Sequence, residues 1–407
     1  LRIQLESEVY QLIQTEADPS VWLLKLVAEP GSGESSREIK GIVSIYVDDL
    51  LISSKPPLIK AVYEALTSLW ECSKLELASP ESPMKFCGLQ IEDHEGFTAL
   101  HQANYEQELL AKYAHETGCQ TAPCPANLGA ENEGEEPLSG PDVDKDLDKI
   151  RAAQALAGEL LWLAQRSRLE LAFPVNKMSQ LLMSSPDKAL QIGHHVLQYL
   201  RATKGQKLIY HHHPTGHGRH DQLSPARSWR IIEVHTDASF APDSARSQTG
   251  TVIMWDDAAV AWLSHRQATM SASTAEAELG SCFDGMIACE AITDLINEFI
   301  GEPAQRYLYN DNISTVQILR VPGGPWRTRA LRVRARAVQC RLTHSAFAVR
   351  HLSGQFMLGD VCTKSLIAAR TRELLELAQV HLSPPADVSA QIRKCFPSGK
   401  GGDSTCD

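Results

Sequence analysis

The sequence has 407 residues, of which 43% are hydrophobic and 22% charged, and its formal net charge is −11. This length exceeds one ordinary hydrophobic core, so two or three globular domains are expected. No apolar run reaches the roughly 20 residues needed to cross a bilayer, and the N-terminus does not read as a signal peptide. The acidic balance argues against a general nucleic-acid binder. Since the chain begins at Leu1 rather than Met, we expect it to be part of a longer product.

Two residue types could suggest metal binding or cross-links. The ten cysteines are scattered without zinc spacing, which predicts free thiols in a reducing compartment. The histidine-rich stretch 211–220 could ligate a metal, but it lies among Pro, Gly and Arg without a cysteine or carboxylate pattern. A solvated connector is the preferred interpretation.

Composition divides the chain into five segments of an α/β protein. Residues 1–125 mix strand-like and helix-like patterns, and 126–148 are acidic and rich in Gly and Pro, as in a linker or mobile loop. Residues 149–227 contain two amphipathic helical patterns followed by the histidine-rich connector. Residues 228–370 alternate strand-like and helix-like stretches, and 371–407 read as a helix end with a disordered tail.

In the first segment, the apolar run GIVSIYVDDLLISS is interrupted by the adjacent acids Asp48 and Asp49. Paired carboxylates at the tip of a hairpin are costly, because flanking residues such as Val47 and Leu50 favour burial. A plain Asp-Asp turn is the alternative. We interpret the two acids as candidate catalytic residues.

The fourth segment has a readable order of elements. RIIEVHTDASF predicts a strand, and TGTVIMWDDAAVAWLSHR predicts two strands joined at Asp256-Asp257. A long helix follows, capped by Ser273 or Thr274 and ended by Gly301. RYLYND and FAVRHL predict two more strands, alternating with a short helix, a basic helix and a final helix from DVCTKSL onward. This order predicts a mixed sheet with helices packed on it.

Four acids of this segment fall at or near the ends of these elements. Asp237 lies in or at the end of the first strand, Glu278 near the start of the long helix, Asp311 at the end of the fourth strand and Asp360 at the start of the last helix. If they converge, they repel one another unless cations lie between them. Two Mg²⁺ or Mn²⁺ ions about 3.5–4 Å apart would satisfy them. The alternative is that each acid merely caps a helix or ends a strand.

The runs HTDASFA, SQTG, WLSHRQ, STAEAEL, YNDN and GDVCTK resemble, in order and approximate spacing, the RNase H domain of copia-type retrotransposons. The resemblance implies an RNase H-like fold in which four acids bind two metal ions and cleave RNA in an RNA–DNA hybrid. Glu276 competes with Glu278, which is preferred because the family pattern falls on it. The implied catalytic and metal-binding residues are Asp237, Glu278, Asp311 and Asp360.

Three positions near this site qualify the resemblance. The alanine that usually precedes the last aspartate is Gly359 here, a change that we expect to be tolerated. The family's RTKHI reads RTRAL, which removes a histidine and is expected to weaken substrate contact rather than chemistry. His351 lies in the predicted strand FAVRHL, where a structural role is preferred to a catalytic one.

The run YVDD resembles the catalytic YxDD of reverse transcriptases, in which the aspartates help to hold metal ions for nucleotidyl transfer. KFCGLQI, ALHQANYEQELLAKY and HHVLQYLRATKGQKLIY continue the resemblance, which extends to about residue 370. No match to the earlier catalytic aspartate motif precedes Asp48, so we expect no DNA polymerisation by this chain alone. The family's life cycle implies cytoplasmic particles and then the nucleus.

The predicted basic helix has two faces. Apolar residues at helical spacing from Leu331 to Leu342 share one face, and arginines group on another. Because this helix contains no acids, phosphate contact is preferred to an ordinary solvated face. The predicted nucleic-acid-binding set is Arg327, Arg329, Arg332 and Arg336.

Three functions remain open. The first is an active hybrid-directed ribonuclease attached to an incomplete RNA-directed DNA polymerase. The second is a catalytically inactive retroelement fragment that binds nucleic acid. The third is a cellular RNase H or an integrase-like nuclease, which the YVDD run disfavours.

Overall fold

A computed structural model of the chain describes residues 1–27, 39–125, 141–212, 229–242, 246–321 and 329–381. Most of the histidine-rich stretch 211–220 lies outside these ranges. Within them, no helix has both the length and the apolar character required to cross a bilayer. The eight cysteines in the described ranges are free thiols, as predicted.

The first sheet is an antiparallel meander in the order β1-β2-β3-β4-β5, followed by helix α1. A cluster that includes Val43 and Leu58 joins the sheet to the helix. The predicted YVDD hairpin is present, because Tyr46 pairs with Asp49 across a two-residue turn. The elements are β1 (Arg2–Leu5), β2 (Glu8–Gln14), β3 (Val21–Leu26), β4 (Ile39–Tyr46), β5 (Asp49–Ser54) and α1 (Pro56–Thr67).

The expectation that apolar residues beside the YVDD acids are buried was wrong. Val47 is 82% exposed and Leu50 is 41% exposed. The apolar cluster beneath α1 extends only to Val43 and the half-buried Ile52, and the hairpin tip lies beyond it.

The central part of the chain contains a three-stranded hairpin unit, four helices and one further strand. These elements are β6 (Met84–Phe86), β7 (Leu89–His94), β8 (Phe97–His101), α2 (Ala103–Lys112), α3 (Pro141–Ala164), α4 (Ala172–Leu181), α5 (Pro186–Ala202) and β9 (Lys207–His211). A 3₁₀ helix, Leu169–Leu171, precedes α4. The predicted helical faces are buried together in one cluster that includes Leu156 and Leu197. Helix α3 begins at Pro141, inside the segment 126–148 that was predicted as a linker, so residues 141–148 of that segment are helical.

The third part contains a five-stranded mixed sheet in the order β12-β11-β10-β13-β14. Strands β10, β11 and β12 are antiparallel, and β13 and β14 run parallel to β10. The elements are β10 (Ile231–Ser239), β11 (Gln248–Trp255), β12 (Ala258–Arg266), α6 (Thr274–Ile300), β13 (Gln305–Asn310), α7 (Ile313–Arg320), α8 (Arg329–His344), β14 (Phe347–His351), α9 (Ala368–Leu377) and β15 (Val380–His381). Two 3₁₀ helices, Gly354–Phe356 and Leu358–Cys362, lie between β14 and α9.

The predicted strands of this part and the long helix α6 are confirmed, whereas the predicted final helix begins later, at Ala368. The Ser273 side chain accepts the backbone N–H of Glu276 and so caps the start of α6. Gly301 ends it with a φ of 78°, in the left-handed region that glycine tolerates best. Helices α6 and α8 pack on the sheet through a shared cluster that includes Leu279 and Val338.

A further sheet, in the order β15-β9-β8-β7-β6, draws its strands from distant parts of the chain. Two hydrogen bonds tie the central part to strand β12. The Trp262 indole donates to the Ala164 carbonyl at 2.6 Å, and the Tyr210 hydroxyl donates to the Ala259 carbonyl at 2.9 Å. The predicted mixed α/β class is confirmed. The domain boundaries remain a prediction, and three of the predicted segments contribute strands to this one sheet.

Candidate metal and nucleic-acid site

Strand pairing brings the first and third predicted acids together. Asp237 lies on β10, the central strand, and Asp311 directly follows β13. The two strands are parallel, with His235 opposite Tyr309. Two residues further along, the same register puts Asp311 level with Asp237. The carboxyl ends of adjacent parallel strands therefore present both carboxylates at one edge of the sheet.

Asp360 completes a group of three carboxylates with Asp237 and Asp311, in which one oxygen from each lies within 4.8 Å of the others. Glu278 lies beside this group on the second turn of α6, where its carboxylate accepts the Asn310 side-chain N–H at 2.8 Å. We call these four acids the carboxylate cluster.

Glu276, the competitor of Glu278, has a different environment. Its carboxylate accepts the backbone N–H of Ala272 at 2.7 Å and lies 3.3 Å from the Arg334 guanidinium. Its own backbone N–H donates to the Ser273 hydroxyl at 3.3 Å, so Glu276 takes part in two hydrogen bonds at the start of α6. Glu276 therefore stabilises the start of α6, whereas Glu278 belongs to the carboxylate cluster.

The prediction that Asp360 starts the last helix was wrong. Asp360 lies in the 3₁₀ helix Leu358–Cys362, and α9 begins only at Ala368. All five residues of the 3₁₀ helix are buried. A one-sided amphipathic helix cannot bury consecutive residues in this way, whereas a tight turn wedged between packed elements can.

Three polar neighbours of the cluster were not among the predicted site residues, because only acids were predicted at this site. The Lys364 ammonium lies 2.5 Å from Asp360 Oδ1 and 3.2 Å from Asp237 Oδ1. The Thr363 hydroxyl donates to the other carboxylate oxygen of Asp237. The Arg370 guanidinium lies 3.7 Å from Asp360 Oδ2. The spacing of Lys364, four residues after Asp360, was the available signal.

Burial and mutual repulsion raise the pKa values of acids in the carboxylate cluster. Burial and then the charge of Asp237 raise the pKa of Asp360 to about 6, against the opposing effect of Lys364. The same two causes raise the pKa of Glu278 well above its usual range, and they also raise that of Asp311. Crowded, buried carboxylates without enough positive charge are the expected setting for cations.

The donor set fits a hard divalent ion. The group of three presents only carboxylate oxygens, without nitrogen or sulfur. Such oxygens suit Mg²⁺ or Mn²⁺ better than softer metals. The residues that could hold the ions are therefore the predicted four, Asp237, Glu278, Asp311 and Asp360.

Helix α8 presents the arginines at a separate surface. Arg329, Arg332 and Arg336 are exposed, and within the described ranges no acid forms an ion pair with them. The opposite face, predicted to be apolar, is buried in the core. We call these three residues the α8 arginine surface. Arg327, the fourth member of the predicted set, lies outside the described residues.

Two other arginines of α8 have acidic partners, although the helix itself contains no acids, as the sequence indicated. Arg341 pairs with Glu290 at 2.5 Å, and Arg334 pairs with Glu276. Both acids belong to α6, so they are tertiary partners that the sequence of the basic helix does not contain.

His351 and the YVDD acids occupy different places. The His351 ring N–H donates to the Asp311 carbonyl at 3.0 Å, which puts an exposed imidazole beside the cluster. Asp48 and Asp49 are exposed at the tip of the first sheet, outside the group of three carboxylates. They line an open groove of about 1030 Å³ together with apolar residues such as Trp22 and Trp70.

The β12-β11-β10-β13-β14 sheet, with α6 packed on it and acids at adjacent strand ends, is an RNase H-like fold. No family model matches the chain. In sequence, it is similar to the Transposon Ty1-DR6 Gag-Pol polyprotein of Saccharomyces cerevisiae, with 21% identity over 349 residues, which are 83% of this chain and 19% of the relative. The Ty1-GR3 Gag-Pol polyprotein is 20% identical over the same lengths. The resemblance to copia-type Pol polyproteins is thus confirmed, and the chain spans about a fifth of the length of these relatives.

Two solved structures are also similar. A foamy viral protease-reverse transcriptase in complex with double-stranded DNA has a TM-score of 0.42 and 12% identity, over 76% of this chain and 46% of that chain. RNase H1 from Halobacterium salinarum NRC-1 has a TM-score of 0.23 and 17% identity, over 30% of this chain and 86% of that chain.

Proposed function

We propose that the chain is a retroelement-derived ribonuclease H that hydrolyses the RNA strand of RNA–DNA hybrids at the carboxylate cluster. The observation that carries this proposal is the convergence of Asp237, Asp311 and Asp360 within 4.8 Å, with Glu278 beside them. Isolated caps or strand ends would not bring acids from four separate elements to one place.

The protein's own contribution is to hold these oxygens in a fixed arrangement. Two divalent ions bound there would supply an activated water and stabilise the charge that develops on the phosphate. Asn310 orients the Glu278 carboxylate, and Thr363 orients that of Asp237. The Ser281 hydroxyl donates to the Asp237 carbonyl at 2.7 Å, which ties strand β10 to helix α6. Such supporting contacts tune metal sites strongly.

The cleavage test uses a purified RNA–DNA hybrid with Mg²⁺. We expect the chain to cleave the RNA strand, and Asp237→Asn to lower the rate by at least about 100-fold, because one negatively charged ligand is lost. The rate is measured with a labelled RNA strand, with double-stranded RNA and DNA as substrate controls.

The matched control is Asp284→Asn on the same helix as Glu278. Asp284 is partly exposed and pairs with His265 at 3.1 Å, outside the group of three carboxylates. This variant should cleave at the wild-type rate. Equal cleavage by the wild type and Asp237→Asn would sink the proposal.

A second candidate, a catalytically inactive nucleic-acid-binding module, is supported by the α8 arginine surface. Exposed arginines that form no ion pair with an acid among the residues that the structure describes suit phosphate contacts. On this reading the chain binds hybrid without turnover. The YVDD acids would then be a remnant of a polymerase site, in agreement with their resemblance to the catalytic YxDD of reverse transcriptases.

Both candidates predict a role for the α8 arginine surface. Replacing Arg329, Arg332 and Arg336 with glutamine should weaken hybrid binding. It should also reduce the magnitude of the negative slope of log affinity against log salt by about 2 to 3, because each phosphate contact contributes about 0.9. Fluorescence anisotropy at several salt concentrations measures both. Arg341→Gln is the control, since Arg341 is held by Glu290. An unchanged slope in the triple variant would exclude this surface from binding.

A further inference from the structure

One cation already lies inside the carboxylate cluster. The Lys364 ammonium is 2.5 Å from Asp360 Oδ1 and 3.2 Å from Asp237 Oδ1, so it bridges two of the acids. The two acids come from different elements, strand β10 and the 3₁₀ helix Leu358–Cys362. The ammonium therefore joins parts of the site that carry charge of the same sign.

We propose that Lys364 is a resident counter-cation, which holds the carboxylate cluster together in the metal-free protein and withdraws when a divalent ion binds. This inference rests on the proposed function, because it assumes that the cluster is the metal site. It assigns to Lys364 the role of a positioning residue that regulates access to that site.

Side-chain exposure distinguishes Lys364, which can move, from Asp237 and Asp360, which are held in place. The Lys364 side chain is 40% exposed, whereas those of Asp237 and Asp360 are 2% and 11% exposed. The backbone of Lys364 is anchored, since its N–H donates to the Asp360 carbonyl at 3.0 Å. A flexible four-carbon stem on an anchored backbone lets the ammonium swing into solvent while both acids stay in place.

The neighbouring cation lacks this freedom. The Arg370 guanidinium donates to the Gly354 and Gln355 carbonyls, each at 2.7 Å, and lies 3.7 Å from Asp360 Oδ2. It is thus held by the backbone and lies beside only one of the acids. Lys364, in contrast, contacts both Asp237 and Asp360, two of the residues that would hold a divalent ion. A divalent ion at this site would therefore compete with the ammonium for the same two carboxylates.

The test compares Lys364→Met with the wild type in EDTA and in Mg²⁺. In EDTA the variant should melt about 5 °C lower, because its buried carboxylates lose their counter-charge. In saturating Mg²⁺ this difference should vanish or reverse. Calorimetry should find that Mn²⁺ binds the variant about tenfold more tightly, since no ammonium has to leave. Lys364→Gln provides a second variant if the methionine side chain prevents folding.

Lys112→Met is the matched control. Lys112 also lies 2.5 Å from a carboxylate, that of Glu159, but on helix α2, away from the cluster. Its effect on melting should be the same with and without Mg²⁺.

The outcomes separate this inference from the proposed function. An equal loss of melting temperature for Lys364→Met in EDTA and in Mg²⁺ would overturn the inference, as would unchanged, weakened or absent Mn²⁺ binding. If the wild type cleaves hybrid but the effect of Lys364→Met on melting is independent of Mg²⁺, the inference is contradicted and the proposed function stands. The expected metal dependence without any hybrid cleavage would support the inference and sink the ribonuclease.

Discussion

Gly359, directly before Asp360, has a structural requirement that the motif alone did not reveal. A Cβ at this position would lie 2.8 Å from Asp237 Cβ and 2.9 Å from the Asp237 backbone nitrogen. Real Cβ atoms do not approach so closely, so the backbone would have to shift. Glycine in place of the usual alanine was expected to be tolerated, and in this chain it permits the close approach of Asp360 to Asp237.

Replacing Gly359 with alanine should therefore separate these two acids. We expect a loss of about 1–3 kcal/mol in the free energy of unfolding, as for other overpacked positions, together with weaker Mn²⁺ binding. Chemical denaturation and calorimetry measure the two effects. Gly158→Ala on α3 is the control, because a Cβ there meets nothing within 4 Å. It should stabilise the helix by about 0.5–1 kcal/mol and leave metal binding unchanged.

At the scale of elements, the 3₁₀ helix Leu358–Cys362 depends on a part of the chain outside the RNase H-like sheet. Its buried residues share a cluster with Leu169, from the 3₁₀ helix that precedes α4. In addition, the Ser264 hydroxyl of β12 donates to the Cys362 carbonyl at 2.7 Å. The helical part of the chain thus supports the turn that carries Asp360.

Leu169→Ala should disturb both stability and the site. Removing this fully buried side chain is expected to cost about 2–5 kcal/mol of unfolding free energy, and the 3₁₀ helix above it should loosen, which weakens Mn²⁺ binding. Leu156→Ala, equally buried in the helical cluster, should cost a similar amount without changing metal affinity. Similar Mn²⁺ affinities for the two variants would contradict this account.

Sequence periodicity was sufficient to predict the strands and the long helix of the third part and the YVDD hairpin, because these depend on local patterns and turn residues. Periodicity left open whether the four acids meet, and their convergence was implied by the resemblance to the copia-type RNase H domain. Periodicity could not predict the position of Asp360, which depends on burial between distant elements. Lys364 and the partners of Arg334 and Arg341 were missed for the same reason, since they are tertiary contacts.

For the whole molecule, the YVDD hairpin and the carboxylate cluster belong to separate sheets. One contact between their surroundings is formed by Glu298 near the end of α6, whose carboxylate accepts the backbone N–H groups of Glu16 and Ala17 at 2.8–3.1 Å. This contact lies at the turn between β2 and β3, at a distance along the chain from the hairpin tip. We therefore expect the two acidic sites to act independently.

Replacing Asp48 and Asp49 with asparagine tests this independence. Both residues are exposed, so the double variant should fold with a stability within about 0.5 kcal/mol of the wild type. Its rate of hybrid cleavage should stay within about twofold of the wild-type rate. A larger loss of cleavage in a folded variant would indicate that the hairpin contributes to the ribonuclease reaction.

The two-residue strand β15 pairs with β9, which in turn pairs with β8 in the middle of the chain. A ribosome must therefore translate almost the whole described chain before this sheet can be completed. Until then β9 has an open edge, and long-range pairing of this kind is slow. A premature stop codon ahead of Val380 would leave that edge open permanently, as a template on which the nascent products could aggregate.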